Sequence, residues 1–294
     1  MLKIQGIFPP IVTPFVDQAV SYAHLAENIK KWNHYQLGGY VLLGSNGENV
    51  MLKESEALQS IETAVKYIPA DKQIIIGAGN ESTRSTIEFI KQAHRIGGDA
   101  ALVISSHYYK DQMKGKVLEA YFTEVAEQSP LPVILYNVPK FIGLEIPLDT
   151  VAKLSEHANI IGMKDSSGNM TYFQSIIGFN LKKFQLLTGT ANTLMLSLVA
   201  GAIGGVLALA NIAPQICLDI FHSVRNDRLD KARKLQLSVI RLNQLTTAVY
   251  GIGGLKYALD QIGMYGGKPR QPLILPDDQG KSEIKKELKA LKLI

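Results

Sequence analysis

The chain is short of the residues that would tie it to an oxidising compartment or to a metal. It has one cysteine in 294 residues, Cys217, which excludes an internal disulfide framework and any all-cysteine metal site. Its six histidines, at 24, 34, 94, 107, 157 and 222, form no i,i+4 pair and no His-x-His, so no zinc-binding helix motif is present. Charged residues are scarce, at 19%, against 46% hydrophobic ones. That balance excludes general disorder and leaves enough apolar side chains for a sizeable core. The net charge of +5 is thinly spread. Its one dense cluster, Lys281 to Lys292, is interrupted by Glu283 and Glu287 and reads as a solvated helix face rather than a nucleic-acid patch. The start, Met1-Leu2-Lys3, leads into a run too short for a secretory signal, so a cytoplasmic protein is expected. Between Phe184 and Leu218 no residue is charged, a length that could span a bilayer. The segment also holds Thr188, Asn192, Ser197, Asn211, Gly201, Gly204 and Pro214, which predict two buried strands around a small apolar helix instead.

What is there is a repeated pattern. Three amphipathic stretches stop at a Gly-Gly pair, at 38–39, 97–98 and 204–205, and each is followed by a continuously apolar run. A glycine past a helix supplies a left-handed cap, and strands apolar on both sides are those of a buried parallel sheet. The pairs are separated by about two and four units of roughly 27–30 residues, the size of a βα unit in an α/β barrel. The spacing predicts strands at Gly6–Val12, Tyr40–Gly44, Gln73–Ala78, Ala100–Ser105, Pro132–Tyr136, Ile160–Met163, Phe184–Thr188 and Ile203–Ala208. Leu25, Ile29 and Trp32 share one helix face, as do Leu58, Ile61 and Val65, and Ile87, Ile90 and Ala93, with Ser82 as an N-cap. No Gly-x-Gly-x-x-Gly follows the first strand, which counts against an open dinucleotide-binding sheet. The expected fold is a (β/α)8 TIM barrel over residues 1–224. Residues 225–294 are expected to be a C-terminal helical region, with helices at Arg228–Val249, Gly254–Gln261 and Ser282–Leu293.

Reactive groups of such a barrel sit where its strands end. Lys164 closes the apolar run Asn159–Met163, and a lysine in a partly desolvated pocket can act as a neutral amine that forms a Schiff base with a ketone. Taken alone it could equally pair with Asp165. Tyr136 ends Val133-Ile134-Leu135 and offers a phenol for acid/base work. Gly44-Ser45-Asn46-Gly47 is a tight loop whose N–H groups suit a carboxylate, with the Ser45 hydroxyl in a relay. Tyr108 and Tyr109 suit either a site or a subunit contact.

Gly-Ser-Asn-Gly-Glu at 44–48, Tyr-Asn-Val-Pro at 136–139 and Gly-Met-Lys-Asp-Ser-Ser-Gly at 162–168 resemble the dihydrodipicolinate synthase/N-acetylneuraminate lyase family of class I pyruvate aldolases. The resemblance covers nearly the whole chain. It implies Lys164 as the Schiff-base lysine, Tyr136 as the acid/base and Ser45 in its relay. It also implies Ser45 and Asn46 at the pyruvyl carboxylate, Leu207 lining the pyruvate pocket, and Tyr109 or Tyr108 reaching a neighbouring subunit of a homotetramer, a dimer of dimers; Ser166, close after the lysine, is a further neutral donor expected to share a second carboxylate with the Ser45-Asn46 loop. No cofactor and no metal are implied; the partners are pyruvate and a small aldehyde or 2-oxo acid, with neither nucleic acid nor membrane. The synthases usually carry an arginine two places after the Tyr-Asn-Val-Pro proline, where this chain has Phe141. The motifs are most similar to those of 4-hydroxy-2-oxoglutarate aldolases and related 2-keto-3-deoxy acid aldolases. The alternative is the synthase reaction, condensing pyruvate with aspartate semialdehyde.

Overall fold

The computed structural model describes residues 2–181 and 183–294. Eight parallel strands follow one another around a barrel: β1 (Gly6–Phe8), β2 (Gly39–Leu42), β3 (Gln73–Ala78), β4 (Ala100–Ile104), β5 (Val133–Asn137), β6 (Ile160–Asp165), β7 (Gln185–Thr188) and β8 (Gly204–Val206). β8 pairs with β1 through Gly6 and Gly204. The last seam, β1 to β2, is closed by the N–H groups of Gly38, Val41 and Ile11, which donate to Ile7, Pro9 and Val41 carbonyls at 3.0 Å each. An open sheet would leave these groups unpaired, so closure decides for the (β/α)8 barrel.

Eight helices wrap it: α1 (Tyr22–Trp32), α2 (Glu54–Tyr67), α3 (Thr83–Ile96), α4 (Gly115–Gln128), α5 (Leu148–Leu154), α6 (Met170–Gly178), α7 (Leu194–Ala200) and α8 (Pro214–Arg225). Ser82 caps α3 as expected, accepting from the Ser85 N–H at 3.1 Å. The uncharged stretch 184–218 resolves into β7, α7, β8 and the start of α8, and no helix among the described residues is long and apolar enough to cross a membrane. Beyond α8 come α9 (Leu229–Gln244), which runs on into a π-helical turn at Leu245–Val249, then α10 (Gly251–Gln261) and α11 (Asp278–Ala290).

The Gly-Gly pairs do not all act as caps. Gly97, at φ 122°, ends α3 as expected. Gly39 and Gly204 instead lie inside strands, where a Cβ would overlap the carbonyl oxygens of Gln73 and Gly6. There glycine permits close strand approach.

Side chains divide into two apolar layers. Inside the barrel lie Phe8, Val41, Ile75, Leu102, Ile134, Tyr136, Ile161, Leu187 and Val206. Between barrel and helices lie Ile7, Tyr40, Ile76, Val103, Leu135, Ile160 and Met163, packed on Trp32, Ile61, Ile90 and Phe122. Alternation along each strand sends neighbours to opposite layers. β6 breaks the alternation once: Val133 pairs with Ile160, but Ile134 pairs with Gly162, so Ile161 is an extra residue. Ile160 and Met163, three apart, therefore share the outer layer. This bulge changes the phase of everything after it.

Candidate active site

Beyond the bulge, Lys164 is the register partner of Tyr136. Its ammonium lies 4.0 Å from the centroid of the Tyr136 ring, inside the barrel at its C-terminal mouth. β6 runs two residues further than expected, to Asp165. Lys164 does not pair with Asp165, which points the other way. The Asp165 carboxylate accepts from Asn137 Nδ2 at 2.7 Å, from the Ser167 N–H at 3.1 Å and from the Ser167 hydroxyl at 2.8 Å. Burial raises the Asp165 pKa, and these bonds only partly offset it. Asn137 Oδ1 accepts from the Ile146 N–H at 3.1 Å, and the Ser166 N–H donates to the Asn137 carbonyl at 2.8 Å. The ends of β5 and β6 are thus laced together behind the Tyr136 and Lys164 side chains, which are 5% and 3% exposed.

Ser45 enters from the opposite side of the mouth. Residues Ser45–Gly47 form one helical turn after β2, and the Ser45 hydroxyl lies 3.4 Å from the Tyr136 hydroxyl. Burial pushes the Tyr136 phenol up, but the Lys164 charge and the neighbouring Ser45, Lys164 and Ser166 groups outweigh it, leaving the pKa below the usual tyrosine value. The Ser166 hydroxyl is shielded from solvent and polarises Tyr136 without making a hydrogen bond of normal geometry. Gly189, just past β7, makes room for it, since a Cβ there would overlap that hydroxyl. The first N–H of the turn to find a partner inside it is that of Gly47, which donates to Gly44 at 2.8 Å. The N–H groups of Ser45 and Asn46 precede it, as the orphan donors of a helical turn do.

The remaining expected residues lie elsewhere. Leu207 was expected to line the pocket, but it is fully buried in the outer layer, while Val206 of β8 faces the barrel interior. Strand alternation assigns that face to 206, not 207. Tyr108 and Tyr109 stand edge to face at 5.1 Å, 77% and 66% exposed, outside the mouth of their own barrel. Glu81 holds their loop through the Ser106 hydroxyl at 2.8 Å and the His107 and Tyr108 N–H groups at 3.1 and 3.0 Å. Phe141 sits 60% exposed on a single helical turn, Pro139–Ile142, after β5. Lys140 is engaged with the Thr247 carbonyl at 2.9 Å.

Two lysines beside these turns were not foreseen. The Lys110 ammonium lies beside Gly143, at the end of the Phe141 turn, 3.5 Å from where a Cβ would be. The second is Lys256, fully buried on α10 and paired with Glu48 at 2.6 Å directly behind the Ser45 turn. Its signal was a lone lysine within the otherwise uncharged stretch Gly251–Leu259.

The arrangement places an amine, a phenol of lowered pKa and a hydroxyl together at the C-terminal mouth of the barrel, with orphan N–H donors nearby. Such a set can form an imine with a 2-oxo acid and move a proton beside it. Comparisons with known proteins bear on the family. The chain is 30% identical over 295 residues to a 4-hydroxy-tetrahydrodipicolinate synthase of Methanopyrus kandleri, covering 99% of this chain and 98% of that one. It is 32% identical over 293 residues to a protein of Emericella nidulans named "probable 4-hydroxy-2-oxoglutarate aldolase, mitochondrial", covering 96% and 93%. Among solved structures, the dihydrodipicolinate synthase of Acinetobacter baumannii, crystallised with pyruvate, superposes with a TM-score of 0.94 at 28% identity, covering 99% of this chain and 100% of that one. The Dihydrodipicolinate synthetase family matches residues 3–291, so the chain belongs to that family and is a pyruvate-dependent class I aldolase or synthase.

Proposed function

We propose that the protein cleaves a 2-oxo-4-hydroxy acid, 4-hydroxy-2-oxoglutarate or a related 2-keto-3-deoxy acid, into pyruvate and an aldehyde, glyoxylate in the first case. The Lys164 amine adds to C2 and water leaves, giving an iminium. Tyr136 takes the proton of the 4-hydroxyl through a relay with Ser45. The C3–C4 bond breaks, its electrons pass into the iminium to form an enamine, and the aldehyde departs. Protonation at C3 and hydrolysis return pyruvate and the free amine. Ser45, Asn46 and Ser166 hold the carboxylates with neutral donors. No cofactor is required, because the imine itself is the electron sink. The reading includes a cytoplasmic homotetramer, in which the exposed Tyr108–Tyr109 pair of one copy completes the relay of another; so large an exposed aromatic pair suits a partner-facing role.

The observation that carries the substrate choice is Phe141. The distal carboxylate of aspartate semialdehyde wants a bidentate cation, and the turn after β5 presents a phenyl ring there, with the Lys140 ammonium 5.6 Å from that ring and bonded to the Thr247 carbonyl. The synthase is the second reading, favoured by the Lys110 ammonium beside Gly143 and by the name of the M. kandleri relative. Competition between glyoxylate and aspartate semialdehyde at equal concentration, with pyruvate consumption and product identity as readouts, separates the two. Preference for glyoxylate is expected; preference for aspartate semialdehyde would move the assignment to the synthase.

A further inference from the structure

We propose that Glu48 and Lys256 are a buried positioning pair through which α10 and the chain after it hold the Ser45 turn in the shape that receives the pyruvate carboxylate. The inference rests on the reading of that turn as the carboxylate cradle.

Lys256 and Glu48 are 0% and 1% exposed, the only ion pair among the described residues with both side chains out of solvent. Burying two charges is costly unless every donor and acceptor is satisfied. Here the ammonium donates to two carbonyls, Thr13 at 2.8 Å and Lys268 at 3.3 Å, and lies 2.6 Å from Glu48 Oε1 as an ion pair. It also lies 4.3 Å from the centroid of the Phe15 ring. Glu48 Oε2 accepts from the Arg270 N–H at 2.8 Å. Glu48 Oε1 has the ammonium beside it as an ion pair but no hydrogen bond of normal geometry, so the pair is held by charge and by its outer hydrogen bonds, and the catalytic steps do not use it.

Its location gives it a role. Glu48 is the residue that closes the Ser45–Gly47 turn: its N–H donates to the Ser45 carbonyl at 3.2 Å, and its backbone is left-handed at φ 55°. A glutamate rests in that conformation where its surroundings fix it. The same carboxylate that fixes it is gripped by Lys256 and Arg270. Thr13 adds a second tether, accepting from Lys256 through its carbonyl and donating from its hydroxyl to the Gly47 carbonyl at 2.6 Å. The turn carrying Ser45 and the two orphan N–H groups is thus pinned at Gly47 and Glu48 by residues that touch neither Lys164 nor Tyr136. Slackening the pins should weaken pyruvate binding while leaving imine chemistry intact.

The test uses the full-length protein and borohydride trapping of pyruvate on Lys164, read as the half-saturating pyruvate concentration and the plateau yield, with a thermal midpoint for each variant. Lys256→Met, Glu48→Gln, the double variant and Thr13→Val are compared. Expected are a half-saturating concentration raised about tenfold in Lys256→Met and in the double variant, and about threefold in Thr13→Val, on the scale of one or two lost hydrogen bonds, with plateaus unchanged. The double variant leaves no charge buried without a partner, so it should regain thermal midpoint relative to Lys256→Met while its pyruvate affinity stays weak. A double variant with wild-type affinity, or affinity that merely tracks thermal midpoint, overturns the proposal. Should Lys256→Met fail to fold, Thr13→Val decides, since it leaves the ion pair intact: unchanged affinity there refutes the tether. Absence of trapping in the wild type would reject the functional reading itself, whereas normal wild-type trapping with unaffected variants rejects this inference alone.

Discussion

Tyr136 and Lys164 face each other across adjacent strands because of one extra residue, Ile161, in β6. Without the bulge, strict alternation from Ile160 in the outer layer would send Lys164 outward too. With it, the ammonium lies 4.0 Å from the phenol ring, and its charge is the chief influence that overcomes burial and lowers the Tyr136 pKa. The electrostatics of the site is therefore a consequence of strand phase.

That dependence gives a first prediction. Tyr136→Phe should lower kcat by about 10²–10⁴, the usual range for a positioned acid/base, while pyruvate still traps slowly on Lys164. Lys164→Met should raise the Tyr136 pKa, because burial then acts against less opposition. Ultraviolet titration of the phenolate, with the Tyr136→Phe variant as blank, measures the direction. An unchanged or lowered value would show that the lysine charge is not what lowers the pKa of the phenol.

The strands were legible in the sequence because each is a short apolar run after a break, and all eight appear close to their expected positions. Strand phase was not. Asn159–Met163 is apolar on both faces, and such a run carries no signal of which residue faces in. For the same reason Leu207 was read as lining the pocket when Val206 holds that face. Lys164, Tyr136 and Ser45 were legible because a polar side chain closing a buried strand stands out. The Glu48–Lys256 pair spans 208 positions in sequence, and only the fold reveals that kind of partnership.

A second prediction concerns Gly189. An added methyl would overlap the Ser166 hydroxyl, so Gly189→Ala should displace Ser166 and destabilise the protein by about 1–3 kcal/mol, the usual cost of overpacking. Gly178→Ala is the control, since nothing lies within 4 Å of its would-be Cβ. Denaturant unfolding of both variants tests the contrast; equal stabilities would mean that Ser166 has slack.

The third prediction is an acid limb of stability. Arg270 grips Glu56 with two bonds of 2.7 Å, and that grip, against burial, holds the Glu56 pKa at about 2 rather than 4.5. A depressed carboxylate contributes stability that is fully present above the unfolded value and is lost as pH falls through the folded one. The thermal-midpoint difference between wild type and Arg270→Met should thus be largest above about pH 5 and shrink toward pH 2. A difference independent of pH across that window would assign the Arg270 contribution to its stacking over Phe15 instead.

The last prediction returns to Phe141. Its ring is 60% exposed on the turn after β5, so an arginine there displaces no buried side chain. Lys140 is held by the Thr247 carbonyl, which leaves Lys110, against the same turn, as the other nearby cation. A guanidinium pairs with a carboxylate through two parallel bonds, whereas a lone ammonium offers a single flexible contact. Phe141→Arg should therefore raise kcat/KM for aspartate semialdehyde by about 10–100-fold, since each ~1.4 kcal/mol is tenfold. Trapping of pyruvate on Lys164 should not change, because Phe141 belongs to the second substrate. Lys110→Ala in the wild-type background sorts the remaining cation: a loss with glyoxylate means that Lys110 receives its carboxylate, and no loss leaves that task to the hydroxyls of Ser45 and Ser166. If Phe141→Arg leaves the aspartate semialdehyde rate where it was, the missing arginine is not what excludes that substrate, and the case for the aldolase over the synthase loses its main support.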